Sequence, residues 1–195
     1  MTHKAYQLRH EECVKNARRF ISEAGCAAVK LEWFKECLKV SGMIIGAGIP
    51  VMGHIGLTPQ TAQQDGGFKV RGKDAEAARQ LIEQALALEK AGCFSLVLEC
   101  VPDKVSGIIS RKLRIPVIGI GAGAECDGQV LVIHDMLGLF ERYTPKFVKR
   151  YAALSPLILK AIEEYRDEVV QNKFPAEGHS FHISDEELKR IRDYA

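Results

Sequence analysis

Leu96-Val97-Leu98-Glu99, entered from Cys93-Phe94-Ser95 just after a helical pattern that stops at Ala91-Gly92, is a short apolar run that ends on a carboxylate. Four other segments repeat this layout: Ala28-Val29-Lys30-Leu31-Glu32, Pro50-Val51-Met52-Gly53-His54, Pro116-Val117-Ile118-Gly119-Ile120-Gly121 and Val130-Leu131-Val132-Ile133-His134-Asp135. Apolar runs this short, bounded by helical patterns, read as buried parallel strands whose covering helices hide their faces. Polar or glycine-rich residues at the carboxyl ends of successive parallel strands are where α/β folds, and TIM barrels above all, place their chemistry. The expected fold class is α/β, and the layout points to an enzyme site.

Helical patterns fill the intervals. From Glu11 to Ala24, Val14, Ala17, Phe20 and Ile21 fall on one face, and Gly25 is placed to stop the helix. From about Lys73 to Ala91, Ala78, Leu81, Ile82, Ala85 and Leu88 form a stripe, with Asp74 and Glu76 suited to the first turn. Further helices are expected near Pro145, with Phe147, Val148 and Tyr151, and from about Ser155 to Val170. Between His54 and the second helix, Gly56 to Gly67 forms a long polar loop at the carboxyl end of a strand, a common place for a cover over an active site. Ile183 to Ala195 is a charged, peripheral tail. No linker stands out, so residues 1–195 are read as a single barrel-type domain.

Composition narrows the function classes. Lys and Arg number 27 against 25 Asp and Glu in 195 residues, dispersed along the chain, so no basic stripe argues for nucleic acid or an anionic membrane. A small-molecule substrate is expected. Six cysteines without a C-x-x-C pair, several within apolar elements, read as free thiols in a reducing cytosol. The amino terminus has no apolar signal core and no run approaches membrane-spanning length, which points to a cytoplasmic protein.

Several side chains stand out as candidates. Lys30 and Glu32 lie two apart on a strand and share a face. They read either as a structural ion pair or as a carboxylate for metal or substrate beside a cation for an anionic substrate. Glu99 closes an apolar run, where burial favours its neutral form and suits it to general-base work; capping or core pairing is the alternative. His54 reads as a loop histidine held by a carbonyl or as a functional imidazole. His134-Asp135 reads as a strand-end pair, catalytic or bracing a turn. Gly119, Gly121 and Ala124 match a dinucleotide fingerprint, but that motif opens a helix, whereas this chain returns almost at once to a strand.

Taken in order, Val51-Met52-Gly53-His54-Ile55-Gly56-Leu57-Thr58-Pro59-Gln60, Leu98-Glu99-Cys100-Val101-Pro102, Ile115 to Gly123, Asp127 to Val132, His134-Asp135 and Pro145-Lys146-Phe147 resemble the ketopantoate hydroxymethyltransferase family. The resemblance runs from about Ala5 to about His182. It implies a TIM barrel of the phosphoenolpyruvate-binding type, a homo-oligomer (commonly a decamer) and a need for Mg2+. The implied reaction transfers a hydroxymethyl group from 5,10-methylenetetrahydrofolate to 3-methyl-2-oxobutanoate, a step of pantothenate biosynthesis. Position by position, Glu32 resembles the carboxylate associated with the metal, Lys30 the lysine that contacts the keto acid, His54 the active-site histidine and Glu99 the base.

The resemblance also has departures. Family members begin with about three further strand and helix units that carry two metal-binding aspartates and a substrate-binding serine, so about five of eight barrel strands are expected here. Trp33 and Phe34 stand where the family usually has two glycines. Two alternatives stay open beside the transferase: a homologue without independent activity that acts as a binding or assembly partner, and another Mg2+-dependent keto-acid enzyme on the same barrel.

Overall fold

A computed structural model of the protein describes residues 1, 5–6, 10–63 and 66–192. Gln64 and Asp65 of the long loop and the last three residues of the tail lie outside the described residues. The chain divides into two compact units, Met1–Val132 with Pro145–Val148, and Ile133–Thr144 with Lys149–Ala195.

The first unit is built on one parallel sheet. Its strands are β1 (Val29–Glu32), β2 (Val51–Gly56), β3 (Ser95–Glu99), β4 (Val117–Ile120) and β5 (Gly128–Gln129), hydrogen-bonded in sequence order. Helices α1 (His10–Ser22), α2 (Cys37–Gly46), α3 (Ala75–Lys90) and α4 (Asp103–Lys112) intervene. Five consecutive parallel strands in sequential order make an arc of a TIM-type barrel, the α/β architecture expected.

Alternation along the strands separates two faces. Val29, Leu31, Val51, Ile55, Leu96, Leu98 and Val117 are buried in the core with Val40 and Ile44 of α2 and Leu81, Ala85 and Leu88 of α3. The opposite face carries Lys30, Glu32, His54, Val97 and Glu99. Its register sets Glu32 beside His54, His54 beside Val97, and Glu99 beside Gly56.

Local chemistry explains the helix limits. Asp74 caps α3 by accepting from the Ala77 N–H at 2.8 Å, and Gly92, at φ +94°, turns the chain toward β3. In α1 the buried positions are Cys13 and Ala17, while Phe20 is 37% exposed, so the thiol takes the inward place that the apolar stripe gave to the phenyl ring. All six cysteines are free thiols.

Two expectations about the end of the sheet are corrected. The fifth strand is Gly128–Gln129, extended by one bond from Val130 N–H to the Gly119 carbonyl, and not Val130–Asp135. Val130 and Val132 are about half exposed (46% and 49%), so this apolar run has no second layer against it. No helix forms at Pro145; Pro145–Val148 make a turn closed by the Val148 N–H on the Pro145 carbonyl.

The second unit holds α5 (Ile133–Met136), α6 (Leu154–Val170), a 3-10 turn at Glu177–His179 and α7 (Asp185–Arg192). His134 and Asp135 thus lie in a short helix of this unit rather than at a strand end. Their carbonyls accept from the Leu139 and Gly138 N–H groups, which close its last turn. Phe174 packs its ring 5.5 Å from Tyr165 and 5.1 Å from His179, gathering the residues after α6.

Candidate active site

Three of the four side chains singled out as site residues meet on the polar face of the sheet. Glu32 ends β1 with 5% exposure, His54 lies within β2 with none, and Glu99 ends β3. The imidazole stands between the two carboxylates, with Nε2 3.2 Å from Glu99 Oε2 and Nδ1 3.9 Å from Glu32 Oε1. Neither ring nitrogen makes an aligned hydrogen bond, so both stay orphaned in a buried position. An orphaned buried polar atom costs about 1–3 kcal/mol. Such groups collect where function requires them.

Backbone holds the row in place. The Trp33 N–H donates to the His54 carbonyl at 2.8 Å, and the Leu57 N–H donates to the Glu99 carbonyl at 2.8 Å. Cys100 follows Glu99 at φ +52°, a left-handed conformation that is rare for a residue with a side chain. Its N–H donates to the Ile120 carbonyl and its carbonyl accepts from the Arg71 N–H. The loop after β2 is therefore tied to the Glu99-Cys100 corner at both ends. Burial, and then the nearby Glu99 carboxylate, push the Cys100 thiol above its usual range, so it is a poor nucleophile there.

Gln60 is a site residue that sequence reasoning quoted but gave no role. Its backbone N–H donates to Glu32 Oε2 at 3.2 Å and its side-chain Nε2 to Glu32 Oε1 at 3.0 Å. Tyr6, wholly buried, accepts from the Glu32 backbone N–H at 3.2 Å. The signal for Gln60 was its place in a polar loop at a strand end; its partner lies 28 residues away, beyond any local pattern.

Lys30 shares the face with Glu32 but is exposed, and no Lys30–Glu32 ion pair forms. The ammonium is thus free to meet an anion from solvent. Trp33 and Phe34 pack against the core, Phe34 edge-on to Tyr6 at 5.5 Å, and Trp33 borders a shallow groove with Gln80, Gln84 and Ala87 of α3.

The family model for ketopantoate hydroxymethyltransferase matches residues 1–177. This chain belongs to that family. It is 54% identical over 187 residues to the 3-methyl-2-oxobutanoate hydroxymethyltransferase of Syntrophomonas wolfei, covering 96% of this chain and 68% of that protein. It is 55% identical over 185 residues to the enzyme of that name from Oleidesulfovibrio alaskensis (95% and 64%), and 52% identical over 187 residues to that of Clostridium botulinum (96% and 68%). The chain spans about two thirds of the length of these relatives.

Family membership raises the question of Mg2+, which takes near-octahedral oxygen ligation, commonly one or two carboxylates with water and substrate. Among the described residues no group of three or more His, Cys, Asp or Glu side chains is placed to hold a metal ion. Glu32 is the carboxylate at the expected place, and both its oxygens already accept from Gln60. The described residues do not by themselves fit a Mg2+ site.

Proposed function

We propose that this chain carries out the hydroxymethyl transfer for which its relatives are named, from 5,10-methylenetetrahydrofolate to 3-methyl-2-oxobutanoate, giving 2-dehydropantoate. The observation that carries the reading is the row Glu32–His54–Glu99, two carboxylates about one buried imidazole whose nitrogens have no aligned partner. The reading sets the keto acid at this end of the sheet, with its carboxylate toward Lys30 and its C3–H toward Glu99.

In this reading Glu99 takes the C3 proton, and the electron pair moves into the C2–C3 bond to give the enolate. General-base catalysis by a positioned carboxylate contributes about 10²–10⁴-fold. His54, wholly buried with Nε2 3.2 Å from Glu99 Oε2, lies against the carboxyl that takes the proton. Water supplies the oxygen: it adds to the methylene carbon of the folate, and the two C–N bonds break to release tetrahydrofolate and formaldehyde. The enolate C3 attacks the formaldehyde carbon, while the formaldehyde oxygen takes up the proton held by Glu99. Glu32 keeps its place through Gln60 and faces the other ring nitrogen.

No step above runs through Mg2+. A second reading, catalysis only in company with residues of another chain, draws on the single carboxylate at the metal position. Homo-oligomeric assembly and a cytoplasmic location belong to the same proposal. Among the described residues no helix is long and apolar enough to cross a membrane. The direct test is to incubate the chain with both substrates and assay 2-dehydropantoate, with Glu99→Gln as control. Product from the wild type alone supports the reading; no product from a folded wild-type sample overturns it.

A further inference from the structure

A groove of about 280 Å³ runs between Trp33, which follows β1, and one face of α3, lined there by Gln80, Glu83, Gln84 and Ala87. These helix residues recur at three- and four-residue steps, so they share one strip of the helix surface. The volume falls just below the range of about 300–1,000 Å³ usual for small-molecule pockets, so the groove suits one side chain better than a whole cofactor. We propose that it receives the guanidinium of an arginine side chain presented by a partner protein. The proposal is independent of the catalytic reading, since none of the lining residues belongs to the row Glu32–His54–Glu99.

One wall is an indole. Trp33 is half-buried, packed against the core while it borders the groove. Of the aromatic rings indole attracts a cation best, and a flat guanidinium also stacks on it. Glu83 is the one charged side chain of the lining, and it makes no hydrogen bond or ion pair among the described residues. Arg79, four residues before it on the helix, pairs instead with Glu76 at 3.6 Å, which leaves Glu83 uncommitted. The Gln84 side chain likewise has no hydrogen-bond partner among the described residues, and Gln80 gives its amide nitrogen to Glu76 at 3.3 Å. Both amide carbonyl oxygens are thus left for an incoming donor, and Ala87, with only a methyl group, leaves room beside them.

The lining also selects among cations. An ammonium meets the same ring and carboxylate, but only the planar fork of a guanidinium stacks flat on the indole while its edge donates to a carboxylate and to amide oxygens together. No cation lines the groove, so the carboxylate of a free amino acid would find no counter-charge there. The groove therefore matches arginine within a polypeptide, whose main chain carries no charge at that residue, better than free arginine.

The chain holds a single tryptophan, so its fluorescence reports on this wall of the groove. The whole chain is titrated with N-acetyl-arginine amide, with its neutral isostere N-acetyl-citrulline amide, with N-acetyl-lysine amide and with free arginine. The capped arginine changes the emission saturably, the citrulline compound binds about fivefold more weakly or worse, and the lysine compound and free arginine also bind more weakly. Glu83→Gln weakens the capped arginine about threefold or more, whereas Glu163→Gln, which removes the same charge from α6, leaves it unchanged. Both positions are exposed, and far-UV circular dichroism confirms that each variant is folded. No saturable change, equal binding of the citrulline compound, or the same affinity in Glu83→Gln as in Glu163→Gln overturns the site. Equal binding of the lysine compound overturns the choice of guanidinium, and equal binding of free arginine overturns the assignment to a partner's side chain.

Discussion

His54 and Glu99, on neighbouring strands, place Nε2 and Oε2 3.2 Å apart with the imidazole wholly buried. The ring also faces Glu32, with Nδ1 3.9 Å from Oε1, so it stands between both carboxylates of the row. His54→Ala leaves a cavity, and takes from buried Glu32 and partly exposed Glu99 the neighbour that they share. Loss of about 3 kcal/mol or more of folding stability is expected, read by urea denaturation. A variant as stable as the wild type would show that the ring carries no structural share.

Gln60 is expected to matter through Glu32. Gln60→Leu removes the side-chain donor to Glu32 Oε1 while the backbone N–H still reaches Oε2. The cost of leaving a buried carboxylate oxygen short of a donor is about 1–3 kcal/mol. Denaturation would measure it, and Gln60→Glu, which sets like charges together, should cost more than Gln60→Leu.

Two glycines are expected to respond in opposite directions. At Gly56, φ is +94° and a Cβ would lie 2.2 Å from the Glu99 carbonyl oxygen and 2.8 Å from Val101 Cγ2. Gly56→Ala should therefore destabilise by about 3 kcal/mol or more, since both the conformation and the space are denied. Gly42, inside α2, has open space where its Cβ would go. Gly42→Ala should stabilise by about 0.5–1 kcal/mol through helix propensity. Thermal melts of the two variants decide.

Much of this site was legible because strand ends are local features. Glu32, His54 and Glu99 each close or interrupt an apolar run, and a parallel sheet in sequential order brings such ends together. Gln60 was not legible as a partner of Glu32, since a loop of free conformation sets that contact. Val130–Ile133 misled because an apolar run implies burial only if a second layer exists, and here the valines face out.

Cys93 gives a prediction about alkaline stability. Its thiol is 2% exposed, and burial, with Cys37 nearby, raises it from the ordinary 9.0 to about 11. A thiol whose folded value exceeds its unfolded one contributes stability that is complete below the unfolded value and is lost as pH rises through the folded one. The melting temperature should fall between about pH 9 and pH 11, and Cys93→Ala should flatten that fall. An equally steep fall in the variant would assign the loss to other groups.

The central claim, that Glu99 beside His54 removes the C3 proton of the keto acid, is met most directly by proton NMR. The chain is placed with 3-methyl-2-oxobutanoate in D2O containing Mg2+, with Glu99→Gln in parallel and with chelator as a further arm. The account predicts deuterium exchange at C3 by the wild type and a loss of at least about 100-fold in Glu99→Gln, with folding retained. Exchange by Glu99→Gln at the wild-type rate, or none from a folded wild-type sample, would contradict it.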